Sequence, residues 1–250
     1  ILAVFICLLS FPEIALSQAG AEEYMVINRL SRENGLPDQD INGIYFDDRG
    51  YAWISTFGGG LVRYDGDSFI TFSSKNYPEI LEDIVRQCRE DQFDRLWVPA
   101  AGGVEILDMN THTFMGDFPG MSKEWRHSHY PAALRRDTKG GIWFTSGDHL
   151  YRVGFSDDGS RFIVDSLKCD VPNENYMPKV GDVENDGSVW ISLNGHLFKV
   201  RQIEGKGLCL SEIFPDIYIG EENRATSFLR TGNDVWIGTM DGLYRVDMIT

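Results

Sequence analysis

From Tyr24 onward the chain alternates short apolar runs with turns rich in Gly, Asp and Asn. The runs are too short for helices and carry strand-type alternation, so the pattern predicts strands. The first falls over 24–30 and is followed by a loop over 31–37. The next group spans 41–46, 51–55, 61–64 and 68–72, and another spans 81–88, 96–99, 104–107 and 113–115. Two further groups cover 132–135, 142–145, 150–153 and 161–164, then 179–183, 189–192, 197–200 and a less regular 209–213. A last group covers 226–229, 235–238 and 243–246. Residues 79–89 come nearest to a helical pattern, but they precede a Trp-containing turn just as 41–46 does, and a strand is the better reading.

One Trp stands in the second strand of every group: Trp53, Trp97, Trp143, Trp190 and Trp236, at intervals of 44, 46, 47 and 46 residues. Four-stranded units at such a period are the signature of a β-propeller. The fold class is therefore all-β, with about five blades and the Trp of each blade packed between neighbours. A parallel β-helix needs shorter rungs, and a sandwich has no reason to repeat one Trp turn. Two ring sizes stay open. The strand at 26–30 sits where an outermost strand would and the last unit has only three, so the two ends could close a five-bladed ring. The reading favoured over it is the opening part of a longer ring of seven blades, continued beyond Thr250.

Residues 1–9 are continuously apolar, followed by small residues to Ala19. This reads as a secretory signal over 1–19 lacking its start, with cleavage near Ala19, leaving 20–250 as the propeller. A buried N-terminal strand or helix is the alternative; the run is short for a membrane span. Net charge is −15, which excludes nucleic acid and anionic membrane surfaces as partners of this region. Beyond Cys7, the scattered Cys88, Cys169 and Cys209 form neither a disulfide framework nor a metal motif, and Cys88 reads as a small core residue.

The repeat text is itself distinctive. Asn34-Gly35-Leu36-Pro37, Tyr51-Ala52-Trp53-Ile54-Ser55-Thr56 and Gly59-Gly60-Leu61-Val62-Arg63-Tyr64-Asp65 resemble the two-component regulator propeller repeat. Trp236-Ile237-Gly238-Thr239 with Asp241-Gly242-Leu243-Tyr244-Arg245 is similar to it too, while the middle units keep the Trp and vary the residues after it. The resemblance implies the periplasmic sensor part of a hybrid two-component system, attached to the inner membrane through parts outside this sequence. In that family two seven-bladed propellers precede a β-sandwich, a membrane helix, a histidine kinase, a receiver and a DNA-binding domain. The implied ligand is an oligosaccharide, the implied output is control of polysaccharide-utilisation genes, and the implied assembly is a homodimer.

Candidate chemistry is sparse. Dinucleotide, Walker, zincin and nucleophile-elbow motifs are missing, so the sequence predicts no catalytic residue and no cofactor. Gly58-Gly59-Gly60 joins two strands and reads as a turn. Asp47-Asp48 and Asp157-Asp158-Gly159 are fragments of calcium-loop text without its spacing and read as acidic turns. The segment 116–130 holds the one Trp off the period, Trp125, with His127, His129 and Tyr130. The two histidines lack a third ligand, so no metal is expected. The loops leading into the innermost strands bring Trp125, His127, His129, Tyr130, Tyr176, Arg224, Tyr77 and Asp40 toward one funnel. Such a set joins aromatic faces to directional polar groups, as sugar recognition requires. The competing readings are packing of this loop, a self-contained propeller enzyme of lyase or hydrolase type, and a purely structural dimerisation propeller.

Overall fold

The computed structural model describes residues 28–80, 82–115, 131–170, 178–214, 218–219 and 225–248. Five antiparallel sheets succeed one another along the chain, each a meander of consecutive strands. The first holds β1 (Ile41–Phe46), β2 (Ala52–Thr56), β3 (Leu61–Tyr64) and β4 (Phe69–Phe72). The second holds β5 (Arg89–Glu90), β6 (Arg95–Ala100), β7 (Gly103–Asp108) and β8 (Thr113–Phe114). The third holds β9 (Ala132–Arg136), β10 (Ile142–Ser146), β11 (His149–Phe155) and β12 (Phe162–Lys168). The fourth holds β13 (Lys179–Val183), β14 (Val189–Leu193), β15 (His196–Ile203) and β16 (Gly207–Ile213). The fifth shows three strands among the described residues: β17 (Ala225–Thr231), β18 (Asp234–Thr239) and β19 (Leu243–Asp247). The fold is an all-β, five-bladed propeller built on four-stranded blades.

The blades all lie in one unit, Ser31–Thr250. The expected leader over 1–19 lies outside the described residues. Of the strand expected over 24–30, residues 28–30 are described and are not in a strand. Arg32–Asn34 forms a 3-10 turn where a plain loop was expected, closed by reciprocal hydrogen bonds between Ser31 and Asn34.

The core is a stack of inter-blade layers. Trp53 lies with Val85, Leu96 and Leu107 of the second blade, and Trp97 lies with Leu134, Ile142 and Phe144 of the third. Trp143 meets Val180 and Val189 of the fourth blade, and Trp190 meets Val235 and Ile237 of the fifth. Each of these Trp residues thus faces the next blade along the chain, because a single four-stranded sheet cannot hide both of its faces. The two end faces differ. Leu61, Val104, Leu150 and Leu197, at one position of the third strand, are each 0% exposed, while their counterpart Leu243 is 65% exposed. On the opposite face of the first blade Ile44 is 52% exposed and its counterpart Leu134 is 1% exposed.

The polar turn before each Trp strand has a specific chemistry. Asp47 takes the backbone N–H groups of Arg49 and Tyr51 on Oδ1, and the Trp53 indole N–H on Oδ2 at 2.8 Å. Asp91 and Asp137 do the same for Trp97 at 2.8 Å and Trp143 at 2.9 Å. In the fourth blade Glu184 accepts from Trp190 at 2.7 Å, and Asp186 takes over the turn N–H of Ser188. The Asp47-Asp48 turn, read from sequence as a simple acidic turn, is therefore also an anchor for a core indole, as are its counterparts in the next three blades. In the fifth blade Arg230 stands where the carboxylate would be, and it pairs instead with Glu184 of the fourth.

The innermost strand of the second blade departs from expectation. A strand was expected over 81–88; the observed β5 is Arg89–Glu90, with one isolated bridge between Val85 and Ala100. Pro99 on β6 is the cause. Arg86 donates its N–H to the Pro99 carbonyl at 2.7 Å, but Pro99 has no N–H to return. The Arg86 carbonyl accepts instead from Ser55 Oγ of the first blade, at 2.8 Å.

Candidate functional site

In each meander the start of the first strand lies beside the end of the second, as Ile41 pairs with Thr56. The loops leading into the innermost strands therefore share one face with the turns between second and third strands. That is the face on which the sequence placed its ligand residues. Asp40 lies there, exposed, just before β1; its carbonyl accepts the Phe57 N–H at 2.9 Å. Tyr77 is only half-buried, but its ring sits 5.1 Å from that of Phe72 and 5.6 Å from that of Phe114, against the first inter-blade layer. That packing accounts for much of its aromatic face. Trp125, His127, His129, Tyr130, Tyr176 and Arg224 lie outside the described residues.

Two acid–imidazole pairs occupy the same face. His149 Nδ1 lies 2.5 Å from Asp148 Oδ1, with Lys168 Nζ 3.6 Å from the other oxygen. His196 Nδ1 lies 2.9 Å from Glu212, and its ring is 5.1 Å from that of Tyr218. Tight two-residue turns put them there: Gly147, Asn194 and Gly195 all have positive φ, which glycine and asparagine adopt at low cost. Among the described residues no three His, Cys, Asp or Glu side chains are grouped to hold a metal ion. Burial pushes the Cys88 thiol up to about 12 and the Cys169 thiol to about 11, so neither is a poised nucleophile.

Deeper along the innermost strands lies a tier that the sequence reading missed. Tyr45, Arg89 and Arg135 stand directly opposite Trp53, Trp97 and Trp143 in their own blades. The Arg89 guanidinium lies 5.4 Å from the centre of the Tyr45 ring and donates to the Cys88 carbonyl at 2.8 Å. Arg135 donates to the Gly181 carbonyl of the fourth blade at 2.9 Å and to its own neighbour Leu134 at 3.0 Å. Burial first, and then the nearby Arg89 charge, hold the Arg135 guanidinium below its usual range; Asp182 opposes this. Burial also lowers Arg89, and burial with the Glu90 charge raises the Tyr45 phenol. Each of these residues lies two positions before a turn carboxylate, so the repeat itself marks the tier.

A cleft of about 70 Å³ opens between the third and fourth blades, around Arg152, Lys139, Arg201 and Asp186. Both of its arginines are paired, Arg152 with Asp137 at 2.8 Å and Arg201 with Asp186 at 3.7 Å, and it is too small for a sugar ring.

Residues 35–58 match the family model described as two component regulator propeller. No curated protein matches the chain. Among solved structures, the chain is similar to the extracellular domain of the hybrid two component system BT4673 from B. thetaiotaomicron. Identity is 19% and the TM-score 0.63, over 86% of this chain and 29% of that one. The extracellular domain of BT3049 from the same organism is similar at 14% identity and a TM-score of 0.57, over 86% and 27%. A streptogramin B lyase is similar at 18% identity and a TM-score of 0.54, over 86% and 71%. The chain thus spans less than a third of the sensor domains whose fold it closely resembles. No described helix is long and apolar enough to cross a membrane.

Proposed function

We propose that this chain is part of the extracytoplasmic sensor of a hybrid two-component system and that it takes part in detecting an oligosaccharide in the periplasm. The observation that carries this reading is the coincidence of the repeat match over residues 35–58 with the fold of two extracellular sensor domains. Its output would be control of polysaccharide-utilisation genes through a kinase and a receiver. In this reading the open faces at Leu243 and Ile44 are covered by further blades of a seven-bladed ring, and the complete receptor is a homodimer. The region itself catalyses nothing and needs no cofactor.

Calorimetric titration of the intact receptor against a panel of neutral and acidic oligosaccharides tests the reading. Binding of one class, weakened in Trp125→Ala or Tyr130→Ala with folding intact, supports it. Absence of binding across the panel overturns the sugar assignment.

A second reading is kept open by the streptogramin B lyase fold. In it the Asp148–His149 and Glu212–His196 pairs act as acid–base groups. Turnover of a lyase or hydrolase substrate that disappears in His149→Ala or His196→Ala would favour it over sensing.

A further inference from the structure

We infer that Arg89 and Arg135 form a two-guanidinium subsite for an oxyanion, carboxylate or sulfate, carried by the bound ligand. The inference deepens the sensing reading, on which it rests for the sugar part of that ligand.

The chain has 38 acidic and 23 basic residues, so a surplus of carboxylates is available to any arginine. The two deeply buried arginines among the described residues use it: Arg95 holds Asp91 at 2.7 Å and Arg152 holds Asp137 at 2.8 Å. Arg89 and Arg135 do not. Their hydrogen bonds go to main-chain carbonyls only, one from Arg89 and two from Arg135, and neither forms an ion pair among the described residues. A guanidinium has five N–H donors, so both keep spare ones.

The acids nearby, Asp182 and Glu90, form no ion pair with either arginine among the described residues. Asp182 accepts its own neighbour's N–H, from Val183 at 2.9 Å. Glu90 is buried and takes the Asp48 N–H at 3.4 Å. Both arginines are half-buried rather than sealed, on innermost strands that run side by side. Two like charges held together in partial burial repel each other and lose hydration. An oxyanion accepting from both forks removes both costs at once. The Tyr45 ring beside Arg89 supplies an apolar face next to the charge.

The test uses the full chain. Thermal unfolding is followed in sodium sulfate and in sodium chloride at equal ionic strength. Calorimetry then compares a galacturonate oligosaccharide, galactose 6-sulfate and the matching neutral galactose oligosaccharide. Variants are Arg89→Gln and Arg135→Gln, with Arg89→Lys and Arg135→Lys keeping the charge but losing the fork.

The expected result is an excess protection by sulfate over chloride that is larger in the parent than in the arginine variants, since sulfate stabilises any folded chain to some degree, and tighter binding of one acidic probe than of the neutral one. Each Gln variant should weaken that acidic binding about tenfold or more, and each Lys variant less. Preference for the galacturonate names a carboxylate; preference for the 6-sulfate names a sulfate. Excess sulfate protection as large in the variants as in the parent, or acidic binding unchanged in both Gln variants, overturns the subsite. Should the Gln variants fail to fold, the matched-salt comparison between the parent and the Lys variants still decides. If neutral sugar binds as well as acidic sugar, the sensing reading survives and the subsite falls. If sulfate alone binds in an arginine-dependent way, the subsite survives and the sugar reading falls.

Discussion

A single carboxylate can organise a turn and a core at once. Asp137 accepts from the Lys139 and Gly141 main chain, from the Trp143 indole and, at 2.8 Å, from the buried Arg152. Asp137→Ala strands a buried cation and a buried indole N–H together, and should cost about 3–5 kcal/mol in denaturant unfolding. Asp48→Ala, at the exposed neighbour in the equivalent turn of the first blade, should stay within about 0.5 kcal/mol. This residue-scale device is present in the sequence as an acid six positions before each of the first four periodic Trp residues. On its own the sequence shows only turn chemistry there, because an Asp serves both purposes and the turn explains it locally. His112 gives a second case. Arg63 Nη1 lies 2.7 Å from His112 Nε2, and a guanidinium only donates, so that nitrogen must be unprotonated. Burial, then the Arg63 and Arg49 charges, hold His112 below its ordinary 6.5. Since the folded value is the lower one, this contribution is complete above 6.5 and is lost as pH falls below it, until the folded value is passed. Stability measured from about pH 7 to about pH 5 should fall less steeply in His112→Asn than in the parent.

At the scale of the strand, prediction worked even where the pairing shifts register, as in β1 and β13, and failed where one residue removed a hydrogen bond. The strands β1, β3 and β13 agree with the apolar pattern to the residue. The second blade's innermost strand is cut short because Pro99 cannot donate, a consequence that appears only once its partner strand is known. The same holds for glycine. Gly60 has φ +80°, and a Cβ there would lie 2.2 Å from the Phe72 carbonyl oxygen; Gly66 has φ +103° and open space around it. Gly66→Ala should cost about 1–2 kcal/mol from backbone strain alone. Gly60→Ala should cost clearly more, since main chain must also move, and parallel urea titrations of the two variants would separate the terms. Loss of equal size in both would mean that β4 yields without cost.

Over the whole molecule the inter-blade layers carry the stability, and the five Trp positions made that architecture legible from the chain alone. The ligand-facing side was much less so. Asp40 is on the expected face and Tyr77 packs against Phe72 and Phe114. The Arg89–Arg135 tier escapes a reading of the chain because charged residues on a short strand look like solvent-facing positions until neighbouring blades are set beside them. The asymmetry of the ends gives a direct contrast. Leu150→Lys introduces an unpaired charge into a closed layer and should cost about 4 kcal/mol or more, whereas Leu243→Lys at the matching open position should cost below about 0.5 kcal/mol. Urea titration of the two variants against the parent checks this. The open face also bears on how the chain can be watched. Four of the five periodic indoles are buried and bonded to a carboxylate, while Trp236 is half-buried and has Arg230 in the carboxylate's place. In a Trp125→Phe background, Trp236 should contribute the reddest emission and be the first indole reached by a soluble quencher. Whatever settles on that blade, whether a further repeat or another molecule, will announce itself as a blue shift in the light from one side chain.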